Sequence, residues 1–414
     1  MHGNLERDRA SDFLQQYKLD ALVLCEPEAF QYAIGVWAGP ASLFRRAGSQ
    51  FVVVPQSLDL PLGAVVTDFD ADRIRPHAPD VELRTHPAWI ETVVVDAANG
   101  ELPLEQQIEE SIGERGRPAD FVRPATFDLG LAVAALRTLL ADFGIGPGKL
   151  GLDLAFVPAT DFSTLIDLLP EHSLENGSPL VDRLRAIKNR DEIELLRWGI
   201  QFSEQGFRRL EADARTGMRQ GDLIGLYRSG VAAAAKDTGR VVTTAEYVSL
   251  GARQKTADAP AEMGDPVKAD MVCTVDNYQA DMSRNFVFGE PSEPQRRLHE
   301  IAETTFERGL TVLRPGHRLC DVHREATAAL AELGLPSYRR GHLGHGVGLS
   351  VFSEQWPFIA ADCTAEIEPG MVLAYEIPLY VDGIGSFNLE DQFLITDTGP
   401  ETMNTMPRRL GRLS

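Results

Sequence analysis

The sequence predicts two domains: an α/β domain over residues 1–175 and an α+β domain over residues 176–414. Three observations carry this. At 414 residues the chain exceeds one ordinary domain and has ample material for buried cores. Its first part alternates short β-branched apolar runs with helical stretches. Its second part runs helices into paired strands, then does so again, without solenoid repeats or low-complexity tracts.

Taken in order, Leu5 to Tyr17 has the periodicity of an amphipathic helix and leads into the apolar run Ala21 to Cys25. Gln50 to Pro55, Gly63 to Thr67 and Glu91 to Asp96 read as further short strands. Ile108 to Ile112 and Leu129 to Phe143 read as helices, and Lys149 to Phe156 as a strand after the turn-rich GIGPG. Glu171 to Ser178 is polar and turn-rich, so the domain boundary is placed near it. Val181 to Leu210 keeps a helical apolar face through Ile193, Leu196, Ile200 and Phe207. Helices follow over Gly221 to Lys236, Gln295 to Leu313 and Leu319 to Leu333, and strands over Met371 to Tyr380 and Phe387 to Thr396. Arg45 and Arg46, in PASLFRRAGS, read as a solvated loop pair.

Composition narrows the function classes. With 61 acidic and 40 basic residues the formal charge is -21, which repels nucleic acid and anionic membranes. Cys25, Cys273, Cys320 and Cys363 form no CxxC pair and read as reduced thiols. The N-terminus has no apolar signal region, and no apolar run approaches a membrane span. A soluble, cytoplasmic protein with no nucleic-acid or membrane partner is expected.

Candidate chemistry centres on Gly264 to Asn285, GDPVKADMVCTVDNYQADMSRN, a hairpin with Asp-Asn at its turn. Asp270 and Asp281 lie on opposite arms at an odd separation, which lets two residues face each other across a hairpin. Opposed carboxylates require something positive between them. Cys273 falls on the other strand face from Asp270. His345 stands in the glycine-rich GHGVG, and Glu376 and Glu390 interrupt apolar strands. A glutamate buried alone there costs several kcal/mol unless it is paired or bound to a cation. Four carboxylates and one imidazole suit two divalent ions, and this donor set favours manganese, iron, cobalt or zinc. Such ions supply a water-derived nucleophile near neutral pH.

The motifs GDPVKAD, NYQADMSRN, GHGVGL, EPGMVLAYE and NLED, in this order, resemble the pita-bread (creatinase/aminopeptidase, M24 peptidase) family. VDRLRAIKNRDEIELLR is similar to the helix that opens the catalytic domain of its two-domain members, and EPEAFQYAIG to their N-terminal segment. The resemblance implies a creatinase-like α/β N-terminal domain and an α+β pita-bread catalytic domain. It implies that Asp270, Asp281, His345, Glu376 and Glu390 ligate two metal ions, and that the protein is a homodimer.

The departures concern the substrate machinery. Peptidases of the family usually carry one histidine shortly before the first aspartate and another seven positions after the metal histidine. Here no histidine lies between His172 and His299, and the second position is Phe352. The usual Glu-Pro-Gly is Glu376-Ile377-Pro378, and the arginine two before the last glutamate is Asn388. Losing such proton-handling groups commonly costs orders of magnitude in rate. His342, three before His345, is the candidate replacement acid or base, with Glu376 and Tyr278 as further catalytic candidates. Phe352, Glu354, Trp356, Tyr375 and Asn388 are the candidate substrate contacts, Glu354 and Trp356 as a carboxylate and an aromatic wall for a cationic group. For Tyr278, Tyr375 and Trp356 core packing competes with these roles.

The reading is a dinuclear metal-dependent hydrolase acting on a C–N bond of amide or amidine type in a small molecule or short peptide. An Xaa-Pro peptidase, a metal-dependent lyase and a non-catalytic binding module are the alternatives. Retention of all five ligand positions argues against the last.

Overall fold

The computed structural model describes residues 3–95, 102–114 and 120–414. Two compact units separate at Met1–Leu184 and Arg185–Ser414, a division nine residues beyond the one placed on the turn-rich segment.

The first unit holds a six-stranded mixed sheet. Its strands are β1 (Ala21–Leu24), β2 (Phe51–Pro55), β3 (Gly63–Thr67), β4 (Glu82–His86), β5 (Lys149–Leu152) and β6 (Ser173–Asn176), in the spatial order β4-β3-β2-β1-β5-β6. Helices α1 (Arg7–Tyr17), α2 (Pro27–Ile34), α3 (Asp68–Ile74), α4 (Leu104–Gly113), α5 (Leu129–Asp142) and α6 (Ala159–Leu168) accompany it. Val23, Phe51, Val53 and Val65 of the central strands pack against Leu136, Leu139 and Leu140 of α5 in one core. β5 stops at Leu152, short of the expected Phe156. The buried Asp153 carboxylate turns the chain by accepting the Cys25 and Glu26 backbone N–H groups at 2.7–2.9 Å. β4 and β6 are edge strands that escape an apolar-run criterion, because their residues are largely half-exposed and polar. Residues 91–95 form no strand, and Asp96 lies outside the described residues. Arg45 pairs with Glu28 at 2.8 Å and Arg46 with Asp161, so neither is a free loop charge.

The helix expected over Val181 to Leu210 is two helices. α7 (Ser178–Ala186) ends, and α8 (Arg190–Asp213) restarts on an Asn189 cap whose side chain accepts the Glu192 N–H while Glu192 returns to the Asn189 N–H. The sequence NRDE carries this capping box. α9 (Gln220–Ala235), α10 (Glu293–Leu310) and α11 (Leu319–Glu332) complete the helices of the second unit. Its eleven-stranded sheet contains β7 (Val242–Glu246), β8 (Ser249–Leu250), β9 (Pro266–Val275), β10 (Tyr278–Phe288), β11 (His342–Gly346), β12 (Gly348–Leu349), β13 (Gln355–Ala360), β14 (Val372–Val381), β15 (Gly385–Thr396), β16 (Gly399–Thr402) and β17 (Gly411–Leu413). The main path runs β13-β11-β14-β15-β10-β9-β7.

Helices cover one face of this sheet. Gly199 of α8 sits so close to β10 that a Cβ there would meet the Ala280 Cβ at 2.6 Å. Phe306 of α10 stacks on Tyr375 of β14 at 4.6 Å, inside a core shared by α10, α11, β14 and β15. Because successive strand residues alternate in direction, a residue adjacent to one in this core points to the opposite face. That opposite face carries Asp270, Asp281, Glu376 and Glu390.

Candidate metal centre

Turn chemistry determines the hairpin's register. Asp276 and Asn277 both have positive φ (48° and 72°), as a two-residue type I′ turn requires. Centred there, the pairing sets Asp270 opposite Ser283 and Asp281 opposite Val272. The two aspartates are therefore diagonal neighbours on one face, offset by two residues, and not directly opposed as their spacing suggested. Ser283 pairs with Glu390, and Glu390 with Glu376, so Asp270, Ser283, Glu390 and Glu376 form one row across four strands. His345 pairs with Ala374, two residues from Glu376, and joins Asp281 in the adjacent row on the same face. Gly344 has φ +134°, and a Cβ there would meet the Ala374 carbonyl oxygen at 2.3 Å, so glycine beside His345 is a packing requirement.

The register brings the donors together. One donor atom each from Asp281, His345 and Glu390 lie within 4.8 Å of one another, all buried. His345 Nε2 is 3.7 Å from Glu390 Oε1 and 4.0 Å from Asp281 Oδ2. His345 Nδ1 lies 3.1 Å from the Gly346 carbonyl oxygen; donating its proton there leaves the Nε2 lone pair facing the carboxylates. Glu376 Oε2 accepts from Asn388 Nδ2 at 2.9 Å. Asp270 Oδ2 accepts from Lys268 Nζ at 2.8 Å. Behind the row the fully buried Arg284 donates to the Glu390 carbonyl oxygen at 2.8 Å and to Asp391 Oδ1 at 2.6 Å.

These carboxylates are uncomfortable without a cation. Burial first, and the Asp270 charge second, push the Asp281 carboxyl far above the carboxylate range. Burial does the same to Glu390, with Asp281 next, and lifts Glu376 to about 7. Burial lowers His345, keeping its imidazole neutral. Asp281 Oδ1 is buried with no hydrogen-bond partner. An orphaned carboxylate oxygen beside an imidazole lone pair and a second carboxylate fits a divalent cation.

His342 stands between Glu354 (Nε2 to Oε2, 3.4 Å) and Glu376 (Nδ1 to Oε1, 3.5 Å). Its bond to Glu354 raises the imidazole, and the same bond lowers the Glu354 carboxyl. Asn388 is buried against Glu376, and Phe352 is 48% exposed on the loop after β12. Two tyrosines expected near the ligands are turned away by strand alternation. The Tyr278 hydroxyl donates to Glu192 of α8 at 3.1 Å, and the Tyr375 hydroxyl to the Thr305 carbonyl of α10 at 3.4 Å. Trp356 packs against the helix-side core. Cys273 is buried, and burial pushes its thiol up to about 12. Sequence reasoning missed Lys268, whose signal was a basic residue two positions before Asp270. It also missed Tyr247, whose hydroxyl is raised by burial and by Asp281, Asp270 and Glu354.

Fold and donor cluster together define a two-domain protein with a buried carboxylate–imidazole cluster, of a kind that can hold a divalent metal, on its larger sheet. Residues 194–397 match metallopeptidase family M24, and residues 7–187 match the creatinase/prolidase N-terminal domain. The chain belongs to family M24, in its two-domain, pita-bread form. It is 26% identical over 233 residues to an Xaa-Pro dipeptidase of Pyrococcus furiosus, covering 56% of this chain and 66% of that relative's length. It is 22% identical over 284 residues to the uncharacterized peptidase YqhT of Bacillus subtilis, covering 68% of this chain and 79% of that relative. Among solved structures, the fold is similar to an Xaa-Pro dipeptidase from Bacillus anthracis (TM-score 0.76, 18% identity, 98% of this chain and 99% of that chain). It is also similar to an X-Pro aminopeptidase from Thermotoga maritima (TM-score 0.71, 19% identity, 99% of both chains).

Proposed function

We propose that the protein is a metal-dependent hydrolase of a C–N bond, of amide or amidine type, in a small molecule. The observation that carries this is a buried carboxylate–imidazole donor cluster kept while the peptide-handling imidazoles are absent. Among the described residues, His342 and His345 are the histidines at the donor cluster. His299 Nε2 lies 3.4 Å from Glu303 Oε1 on α10, and His323 is buried on α11. A bound divalent ion of the manganese, iron, cobalt or zinc type would polarise the substrate and lower the pKa of water. Asp281, His345, Glu390 and Glu376 would hold it. Hydrolysis adds a water oxygen to the substrate carbon and breaks the C–N bond, and the leaving nitrogen needs a proton. His342, which lies against Glu376 of the donor cluster, is suited to supply it, because Glu354 favours its protonated form. A half-exposed Phe352 in place of an imidazole leaves an apolar surface at the loop.

The second reading, an Xaa-Pro dipeptidase, is favoured by the names of the Pyrococcus relatives. The test is turnover of the metal-loaded protein on Xaa-Pro dipeptides beside N-acyl amides, amidines and guanidino compounds, in water enriched with the heavy oxygen isotope. The proposal expects an amide or amidine to be preferred, with the label in its product. Preference for Xaa-Pro dipeptides would establish the second reading, and an unsaturated, unlabelled product would establish elimination.

A further inference from the structure

The first aspartate of the centre already has a cation. Lys268 and Asp270 are two residues apart on β9 and share a sheet face. The Lys268 ammonium lies 2.8 Å from Asp270 Oδ2, and its side chain is only 8% exposed. An aromatic ring stands beside it. The Tyr380 ring faces Nζ at 5.5 Å, with Arg340 4.8 Å from the same ring. The strand that carries Lys268 is fixed by its pairing with Asn285 across the hairpin, and the Asn285 side chain in turn bonds the Asn388 backbone N–H and carbonyl oxygen. Asp270, meanwhile, stands outside the trio of donors that converge within 4.8 Å.

We propose that Lys268 is a built-in positive charge that takes the place of a second metal ion. The protein then binds one divalent ion, on Asp281, His345 and Glu390 with Glu376, and uses Asp270 as the counter-ion of Lys268. This rests on the metal-dependent reading above and specifies the metal number within it. An ion bonded to Asp270 Oδ2 at about 2.0–2.2 Å would sit no more than about 5 Å from the ammonium. At that range, in a buried site, salt screens the repulsion poorly. The ammonium neutralises the carboxylate without that penalty, at the close N–O distance that a largely buried ion pair requires.

The test is Mn(II) stoichiometry by equilibrium dialysis and elemental analysis, with electron paramagnetic resonance of the loaded protein. The wild type is expected to bind one equivalent, with the spectrum of an isolated ion, and Asp270→Asn to keep that equivalent. Lys268→Met is expected to gain a second site, binding about a hundredfold tighter than any second ion in the wild type, with an exchange-coupled spectrum. Lys268→Arg, which keeps the charge, is expected to stay at one. Two equivalents with a coupled spectrum in the wild type would overturn the inference and leave the metal-dependent reading standing. So would a single equivalent in a Lys268→Met protein whose circular dichroism and melting match the wild type. No metal in the wild type would overturn both. Should Lys268→Met fail to fold, the wild-type and Asp270→Asn stoichiometries decide.

Discussion

Replacing Arg284 by methionine tests how the metal centre is supported from behind. Arg284 is 1% exposed and makes five hydrogen bonds. Four go to the carbonyl oxygens of Ser283, Glu390, Met406 and Pro407, and the fifth to the Asp391 carboxylate at 2.6 Å. Breaking a buried ion pair by removing one partner costs about 3–5 kcal/mol. Here Asp391 keeps a second cation, since Arg408 Nη1 is 2.7 Å from its other oxygen, which places the expected cost at the lower end, about 3 kcal/mol. For a unit of this size that lowers the melting temperature by about 6–12 °C. Urea denaturation of the metal-free protein measures it, with an unchanged m-value showing that stability alone has moved. Arg284→Met/Asp391→Leu, which removes both buried charges, is expected to recover part of the loss. Because Arg284 also holds the strand of Glu390, the single variant is expected to bind metal about 10–100-fold more weakly. A stability loss under about 1 kcal/mol, or a double variant worse than the sum of the singles, would refute the buried-pair argument.

Asp281→Asn is expected to abolish metal binding while raising the melting temperature of the metal-free protein, because a buried carboxylate oxygen without a hydrogen-bond partner, here Oδ1, costs about 1–3 kcal/mol or more; calorimetry with and without metal checks both halves. A Glu376 carboxyl lifted from 4.5 to about 7 stabilises the metal-free fold fully below about 4.5 and loses that contribution as pH rises through about 7. A cation needs the ionised form, so the metal-induced rise in melting temperature should grow from pH 5 to pH 8; a rise larger at pH 5 would refute this. His342→Gln is expected to lower kcat by about 10²–10⁴ and remove the alkaline limb of the pH–rate profile, with metal content retained; a profile that keeps that limb assigns the proton to another group.

The sequence by itself determined the two-domain character, the hairpin and its turn, and the residue types of the centre. Each of these is written in local chemistry: alternation within a strand, positive-φ residues at a turn, glutamates inside apolar runs. Even Cys273 could be placed on the face away from Asp270 by parity alone. The strands at Glu82–His86 and Ser173–Asn176 were not legible, because an edge strand with little burial carries little apolar signal. The break before α8 was present in NRDE but was masked by a continuous run of helix-forming residues.

Only tertiary structure decided which residues share the centre. The offset between Asp270 and Asp281 follows from the local turn at Asp276–Asn277, but the rows that bring Glu390, Glu376 and His345 to them rest on pairings across the sheet, where a one-residue shift of register would send each side chain to the other face. Tyr278 and Tyr375, adjacent in sequence to ligand-bearing segments, went to the helices for that reason. The Lys268–Asp270 pair is local, but the Tyr380 ring that faces the ammonium comes from another strand of the sheet. The Arg284 support and the His342 bridge join residues up to 123 positions apart. Contacts of that separation follow from which strands pair and in what register, a non-local property that no window of sequence contains.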